Sequence, residues 1–367
     1  FLKMSNFRLM LLSTAAAGLV AVAVSPASAA EVEKSMSVSG HVNRVIIVTD
    51  DGENTTVGQN DNGQVSQSRF RIKGSAKSES MTISTLTEIG LGGNRFVDNQ
   101  ADASSTGITL RHSAISIGNG MGTLTVGHTS TAGAYFEGNN LGGTGNSGFH
   151  DGSVISGQLL HTKNNTGVVT STVSVGSVAT QFTGGGNRHT NVRFDTNNMG
   201  GFSAAVGYSE DDHAAGGVKY SGDFDGTKVI ASVGWQSEGS TSAIDNRWGG
   251  SVAVKLAGGI DLALGYSKRD LNNNVAGNTG LDDPTHWGAA IGYTMGANAI
   301  QAQYGVTNDL GANNNEATLM QLVVEHRMNE YGTSIYGGIS NVDYDTASTA
   351  TQYDDLTGGW VGIKVSF

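Results

Sequence analysis

From about residue 37 to its end, the chain is written in short runs in which apolar and polar residues alternate. Side chains of a strand point to opposite faces in turn, so a period of two predicts strands. The last run shows the pattern most plainly. Val361, Ile363, Val365 and Phe367 share one parity, and Gly362, Lys364 and Ser366 share the other. A strand that is apolar on one face, polar on the other and last in the chain must be paired on both edges if it lies in lipid. The fold class predicted is therefore all-β, a transmembrane antiparallel β-barrel in which the final strand meets the first.

Sixteen segments have the required pattern and length: 37–49, 67–74, 81–91, 107–117, 123–130, 190–196, 201–209, 215–223, 228–237, 246–256, 261–268, 285–294, 299–308, 316–327, 333–343 and 357–367. Their connections alternate. Every second one is a tight turn, such as Phe224-Asp225-Gly226, and those between are mostly longer and rich in Asp, Asn, Gly and Thr. Long loops on one side and short turns on the other are the habit of outer-membrane barrels. Soluble sheets also alternate in polarity, so the aromatic residues decide. Trp235, Tyr266, Trp287, Tyr293, Tyr304 and Phe367 sit near strand ends on the apolar parity, as a girdle at the two lipid interfaces requires. The first, fourth and fifteenth segments alternate less cleanly.

Ahead of the strands, Lys3 and Arg8 precede the apolar run 9–24 and the small residues Ser25-Pro26-Ala27-Ser28-Ala29-Ala30. This is the pattern of a secretory signal peptide over residues 1–30, with cleavage after Ala29 or Ala30. It leaves one barrel over residues 31–367. There is no cysteine, and the only proline after the leader, Pro284, lies outside every predicted strand. The net charge of −11, with the basic leader included, argues against nucleic acid as a partner. No Gly-x-Ser-x-Gly or His-Glu-x-x-His motif occurs, no cofactor is implied and the expected protein is not an enzyme.

Val38-Ser39-Gly40-His41-Val42-Asn43-Arg44, the run Ser68-Arg69-Phe70-Arg71-Ile72-Lys73-Gly74, residues 187–196 and the terminal Phe367 together resemble a Gram-negative general porin of the alphaproteobacterial kind. The resemblance implies a sixteen-stranded barrel, a homotrimer, passage of small polar solutes and ions, and a loop after the fifth strand that folds inward. It also implies that the terminal Phe367 marks the last strand for the barrel-assembly machinery. Outer-membrane lipid and lipopolysaccharide are the implied surroundings.

Arg69, Arg71 and Lys73 share a parity. A cation on the lipid face at mid-depth costs about 2–4 kcal/mol, so this column is expected to face the lumen. Arg111 and Arg193 fall on the polar parity of the fourth and sixth strands and extend the patch. The longest connection, 131–186, carries Glu137 and Asp151, and a run of Val, Ser and Thr over 168–179 that could form a short extra strand. Folded inward, that loop would set its two acids across from the cations and form a constriction with a transverse field. The acid clusters 50–53, 210–212, 282–283 and 354–355 read as solvated outer loops, none with the spacing of a calcium loop, and no metal site is expected. The function expected is passive diffusion of small hydrophilic solutes and ions. A substrate-selective channel for a sugar, peptide or anion is one alternative. A plugged barrel serving as a structural or adhesin protein is another.

Overall fold

The computed structural model describes residues 32–61, 63–92, 96–97, 107–133, 138–149, 153–163, 171–180, 188–210, 213–239, 242–348 and 351–367; the leader over residues 1–30 lies outside them. The strands are β1 (Glu33–Asp50), β2 (Thr55–Asn60), β3 (Arg69–Lys77), β4 (Thr82–Leu91), β5 (Phe96–Val97), β6 (Ile108–Gly118), β7 (Gly122–Ser130), β8 (Arg188–Thr196) and β9 (Phe202–Ser209). They continue as β10 (Ala214–Phe224), β11 (Thr227–Ser237), β12 (Ile244–Lys255), β13 (Ile260–Leu271), β14 (Thr285–Met295), β15 (Asn298–Asn308), β16 (Glu316–Met328), β17 (Thr333–Asp345) and β18 (Leu356–Ser366).

Sixteen of these, β1, β3, β4 and β6 through β18, pair antiparallel with their neighbours around a closed ring. The ring closes where β1 pairs β18, from His41 opposite Ser366 to Asp50 opposite Thr357. Phe367 completes the seam, with its amide donating to the Gly40 carbonyl and its carbonyl accepting from the Gly40 amide, each at 3.0 Å. A side chain on Gly40 would sit 2.8 Å from the Phe367 ring, so the bare glycine is the seat of that ring.

The two strands outside the ring were not legible in the sequence. β2 lies end to end with β3 along β1, pairing Val45–Asp50 while β3 pairs Glu33–His41. The one-turn helix α1 (Gly63–Ser66) and the residues beside it bridge the gap between them. β5 pairs β2. The short hairpins have the chemistry their geometry needs. Asp225 and Gly226, at φ 52° and 85°, supply the two left-handed positions that a two-residue hairpin of matching twist demands.

Outward positions are apolar around the ring. On β18, Val361, Ile363 and Val365 remain 42–54% exposed, whereas Trp360 on the inner parity is buried. Trp235, Trp248, Tyr266 and Trp287 stand outward near the long-loop ends of β11–β14, and the Trp248 and Tyr266 rings lie 5.6 Å apart. Phe202, Phe224, Tyr293 and Phe367 stand outward at the opposite ends. An unbroken apolar band of this extent between two aromatic rows is a lipid-facing surface.

The lumen side is polar along most of the wall. It turns apolar along one sector, where Val45 and Ile47 of β1, Leu319 and Val323 of β16, Val342 and Tyr344 of β17, and Leu356 and Trp360 of β18 are all buried inside the ring. Their partners come from the long connection between β7 and β8: Val154, Ile155, Leu160, Val175 and Val178. This accounts for the broken alternation of β1 and β17, which are apolar on both faces because one meets lipid and the other meets the connection. The short strand expected over 168–179 is not formed in its described part. Ser174 makes only an isolated bridge to Leu159, and Val175–Val178 form a single helical turn, α2. Ser174 and Ser177 cap that turn reciprocally, which satisfies amides that a strand would have needed to pair.

Candidate functional site

Two of the cations predicted on β3, Arg69 and Arg71, project into the lumen and converge on a residue the sequence reading passed over. Glu88 of β4 is fully buried, and its carboxylate accepts from Arg71 Nε at 2.7 Å and from Arg111 Nε at 2.7 Å. Arg69 lies 3.3 Å from the same group and His112 3.9 Å. Register explains part of this convergence, since Arg71 sits directly opposite Glu88. A bulge explains the rest. β4 and β6 pair Glu88 with His112 but Ile89 with Leu110, so Arg111 is the extra residue. An extra residue of this kind turns two successive side chains toward one face, and both Arg111 and His112 reach the lumen. The irregular alternation of the fourth predicted strand is the trace of this bulge.

Gln67 supports the group from the side. Its carbonyl accepts from Arg69 Nε at 3.1 Å and its side-chain oxygen from Arg111 at 3.4 Å. Gly90 leaves the space that Arg111 occupies, because a Cβ there would fall 2.9 Å from the arginine Cδ. Three guanidiniums around one carboxylate leave the patch with formal charge +2. A buried carboxylate is tolerated only when paired and hydrogen-bonded, as this one is. Glu88 was findable, for it is the one acid in the sequence of β3, β4, β6 and β7 and it lies on the polar parity.

Of the other predicted residues, Lys73 lies further along the same lumen face, exposed and without an ion pair among the described residues. Arg193 stands apart on β8. It binds Asp195 through two bonds of 2.8 and 2.6 Å, and its third nitrogen donates to the carbonyls of Ser130 and Thr131 at 3.3 and 3.0 Å. It thereby fixes the start of the long connection. Glu137 and Asp151 lie outside the described residues. Phe367 closes the seam as described above.

The described parts of the long connection follow the inner wall away from the arginine patch. Asn139 bonds Ser232 and Ser251 at 2.7 and 2.9 Å on β11 and β12. Asn140 and Thr144 both donate to Gln301 of β15 at 2.9 Å, and Gln301 in turn donates to Asp261 at 2.7 Å. Gly142 must be bare, since a Cβ would meet the Gln301 amide at 2.2 Å. Arg327 donates to the Gly143 carbonyl, and Asn146 joins Glu325 to Lys364. Beyond it, Gln158 accepts from Thr49 at 2.9 Å, and the Thr180 amide donates to Thr307 at 3.3 Å. Asp261 and Glu325, lumen acids on the polar parity, are thus covered by the connection. No group of three or more His, Cys, Asp or Glu side chains able to hold a metal occurs among the described residues.

These features have counterparts in known proteins. The family model described as Gram-negative porin matches residues 14–347. Among solved structures, the anion-selective porin from Comamonas acidovorans is similar at TM-score 0.61 and 16% identity, covering 91% of this chain and all of that one. The in-vitro folded outer membrane protein OmpT of Vibrio cholerae, in a trimer form, is similar at TM-score 0.58 and 14% identity, over 91% of this chain and 99% of that one. A triple mutant of the Rhodopseudomonas blastica porin is similar at TM-score 0.54 and 14% identity, over 91% and 100%. At these identities the likeness is one of fold. No curated protein matches the chain by sequence.

Proposed function

The chain belongs to the Gram-negative porin family and forms an outer-membrane β-barrel channel, and from that premise we propose how its passage is built. The passage runs between the β3–β6 wall and the connection 131–186, which acts as the constriction loop. Arg69, Arg71, Lys73 and Arg111 form its positive side. Glu137 and Asp151 of the connection face them, and Arg193 holds the connection where it leaves β7. Small hydrophilic solutes and ions cross by diffusion, selected by size and by a transverse field that favours dipolar solutes over apolar ones. No bond is made or broken. The observation that carries this reading is the placement of three guanidiniums around the single carboxylate of Glu88 inside the ring. Their excess charge gives the passage a modest preference for anions, because charge at the passage acts within the screening length of about 10 Å at 0.1 M salt.

The protein assembles as a homotrimer, a reading the trimer form of OmpT supports for the fold. Phe367 serves the barrel-assembly machinery as the end of the last strand, and the acidic outer loops meet lipopolysaccharide. The test is swelling of liposomes that contain the purified protein, with sugars of increasing size. Swelling that falls steeply with size supports an open passage, and no swelling with the smallest sugar sinks it. One observation favours the plugged barrel as the second reading. The connection is held by an apolar cluster as well as by hydrogen bonds, so it is a fixed part of the barrel interior.

A further inference from the structure

Arg44 is an exception on the outer wall. It shares the outward parity of β1 with Val42 and Ile46, which are 47% and 50% exposed, and it lies opposite the outward Ile363 of β18. Gly40, where Phe367 ends the seam, is four residues away on one side, and Asp50, at the long-loop end, is six away on the other. Arg44 therefore falls well inside the apolar band. Its Nη1 is buried, and its guanidinium has no hydrogen bond or ion pair among the described residues. The wall is also interrupted here. β3 pairs β1 as far as His41 and β2 pairs it from Val45 onward, so residues 42–44 have no strand beside them on that side.

A guanidinium at that depth is costly against lipid tails, which offer it no acceptor. The aromatic residues show where the wall borders lipid. The exposed Trp and Tyr side chains of the strands, from Trp235 to Tyr293, stand on β11–β14, and the exposed Phe202 and Phe224 on β9 and β10. From β15 through β18 and on from β1 to β8, the exposed large apolar residues described are Val, Ile, Leu and Met, apart from Tyr331 in a turn and Phe367 at the seam. This sector, with β1 near its middle, thus lacks the aromatic row that borders lipid at the long-loop ends of β11–β14. We propose that further copies of this chain cover the sector in the membrane, and that Arg44 is its charged contact, donating to oxygen atoms of the neighbouring copy. Acceptors stand on the outward parity of the same sector, at Thr85 of β4 and at Asn341 and Thr357, whose side chains bond each other at 3.4 Å. Unlike patches of one sector can meet in turn around a closed three-fold ring. The proposal rests on the homotrimer reading above and adds which face meets and which charge that face uses.

The chain has no cysteine, so a single introduced one can carry a photoactivated cross-linker in the full-length protein in liposomes. Ile46→Cys should give covalently linked chains. Leu264→Cys, on the wall bordered by aromatic residues, should be linked to lipid alone. In detergent, Arg44→Leu should raise the protein concentration at which half the chains are monomers at least tenfold, as loss of a charged hydrogen bond from every copy predicts. Resistance of the variant to unfolding in urea as a monomer reports that the barrel itself is intact. If Arg44→Leu does not fold, Arg44→Lys, which keeps the charge without the fork, should give a smaller rise, and no rise counts against the contact. An unaltered protein whose mass in detergent is that of one chain overturns the homotrimer reading, and this face with it. A trimer linked through Leu264→Cys and not through Ile46→Cys, or with Ile46→Cys linked to lipid alone, overturns the face. A trimer that Arg44→Leu leaves equally stable overturns the role of Arg44.

Discussion

Tyr336 of β17 donates its hydroxyl hydrogen to Asn43 of β1 at 2.7 Å, although β18 lies between them. The ring crosses over Gly362, whose missing Cβ would fall 2.2 Å from it. Trp360 of β18 lies in the same way over Gly338 of β17, at 2.6 Å from where a Cβ would stand. Asn43 is itself fully buried, with its side-chain amide donating to the Ser66 carbonyl at 3.0 Å. One phenol thus ties together the three strands at the seam where the ring closes.

Removing that hydroxyl should be felt by the whole barrel. Tyr336→Phe leaves a buried acceptor on Asn43 without its donor, a loss of about 1–3 kcal/mol. Gly362→Val should do more damage, because the ring has nowhere to go and overpacking costs about 1–3 kcal/mol before the hydrogen bond is lost as well. Urea midpoints of micelle-reconstituted protein check this order. A midpoint for Gly362→Val at or above that of Tyr336→Phe would show that the seam does not depend on the crossing.

Acid should loosen the loop between β13 and β14. Burial works to raise the Asp283 carboxyl, but the Leu271 amide at 2.8 Å and the Lys268 ammonium at 2.8 Å outweigh it and hold the group below its ordinary value. A carboxyl depressed in the folded state contributes stability that is whole above the unfolded value of about 3.9 and is lost as pH falls through the folded one. Proteolysis of residues 272–284 should therefore quicken below about pH 4 in the unaltered protein. In Asp283→Asn it should be faster at neutral pH and nearly independent of acid. A pH dependence identical in the two proteins would remove Asp283 from the explanation.

The apolar docking of the long connection sets its rigidity. Leu160 is fully buried in the cluster with Val45, Ile47 and Leu356. Leu160→Ala should cost about 2–5 kcal/mol of local packing, and the barrel wall should survive because its ladder is untouched. The expected signature is noisier single-channel current with retained insertion. Quiet current at the original conductance would mean that the cluster does not hold the connection.

The ring was legible in the sequence because lipid and water impose opposite demands on successive residues, and most of its strands obey that period; β1, β6 and β17 depart from it. What escaped the reading escaped for local reasons. Arg111 is inserted in a bulge, so the parity that placed it with the lumen cations gave no sign that His112 would join it. Val45 and Ile47 look like a break in the pattern of β1 until the connection that covers them is in place. Glu88 is a single acid with no column of its own to mark it, although the register of Arg71 opposite it follows from the tight turn between β3 and β4. The β2 strand and α1 carry too few residues to register as a period, and Arg193 pairs with Asp195 two residues away, a contact that spacing alone allows without requiring.

Whether an open passage runs past Arg69, Arg71 and Arg111 is read from the current through a planar bilayer under a salt gradient. Discrete steps are expected, with a reversal potential displaced toward the anion and a shift toward the cation in Arg71→Gln. A barrel that inserts without conducting, or a reversal potential that Arg71→Gln leaves in place, would contradict it.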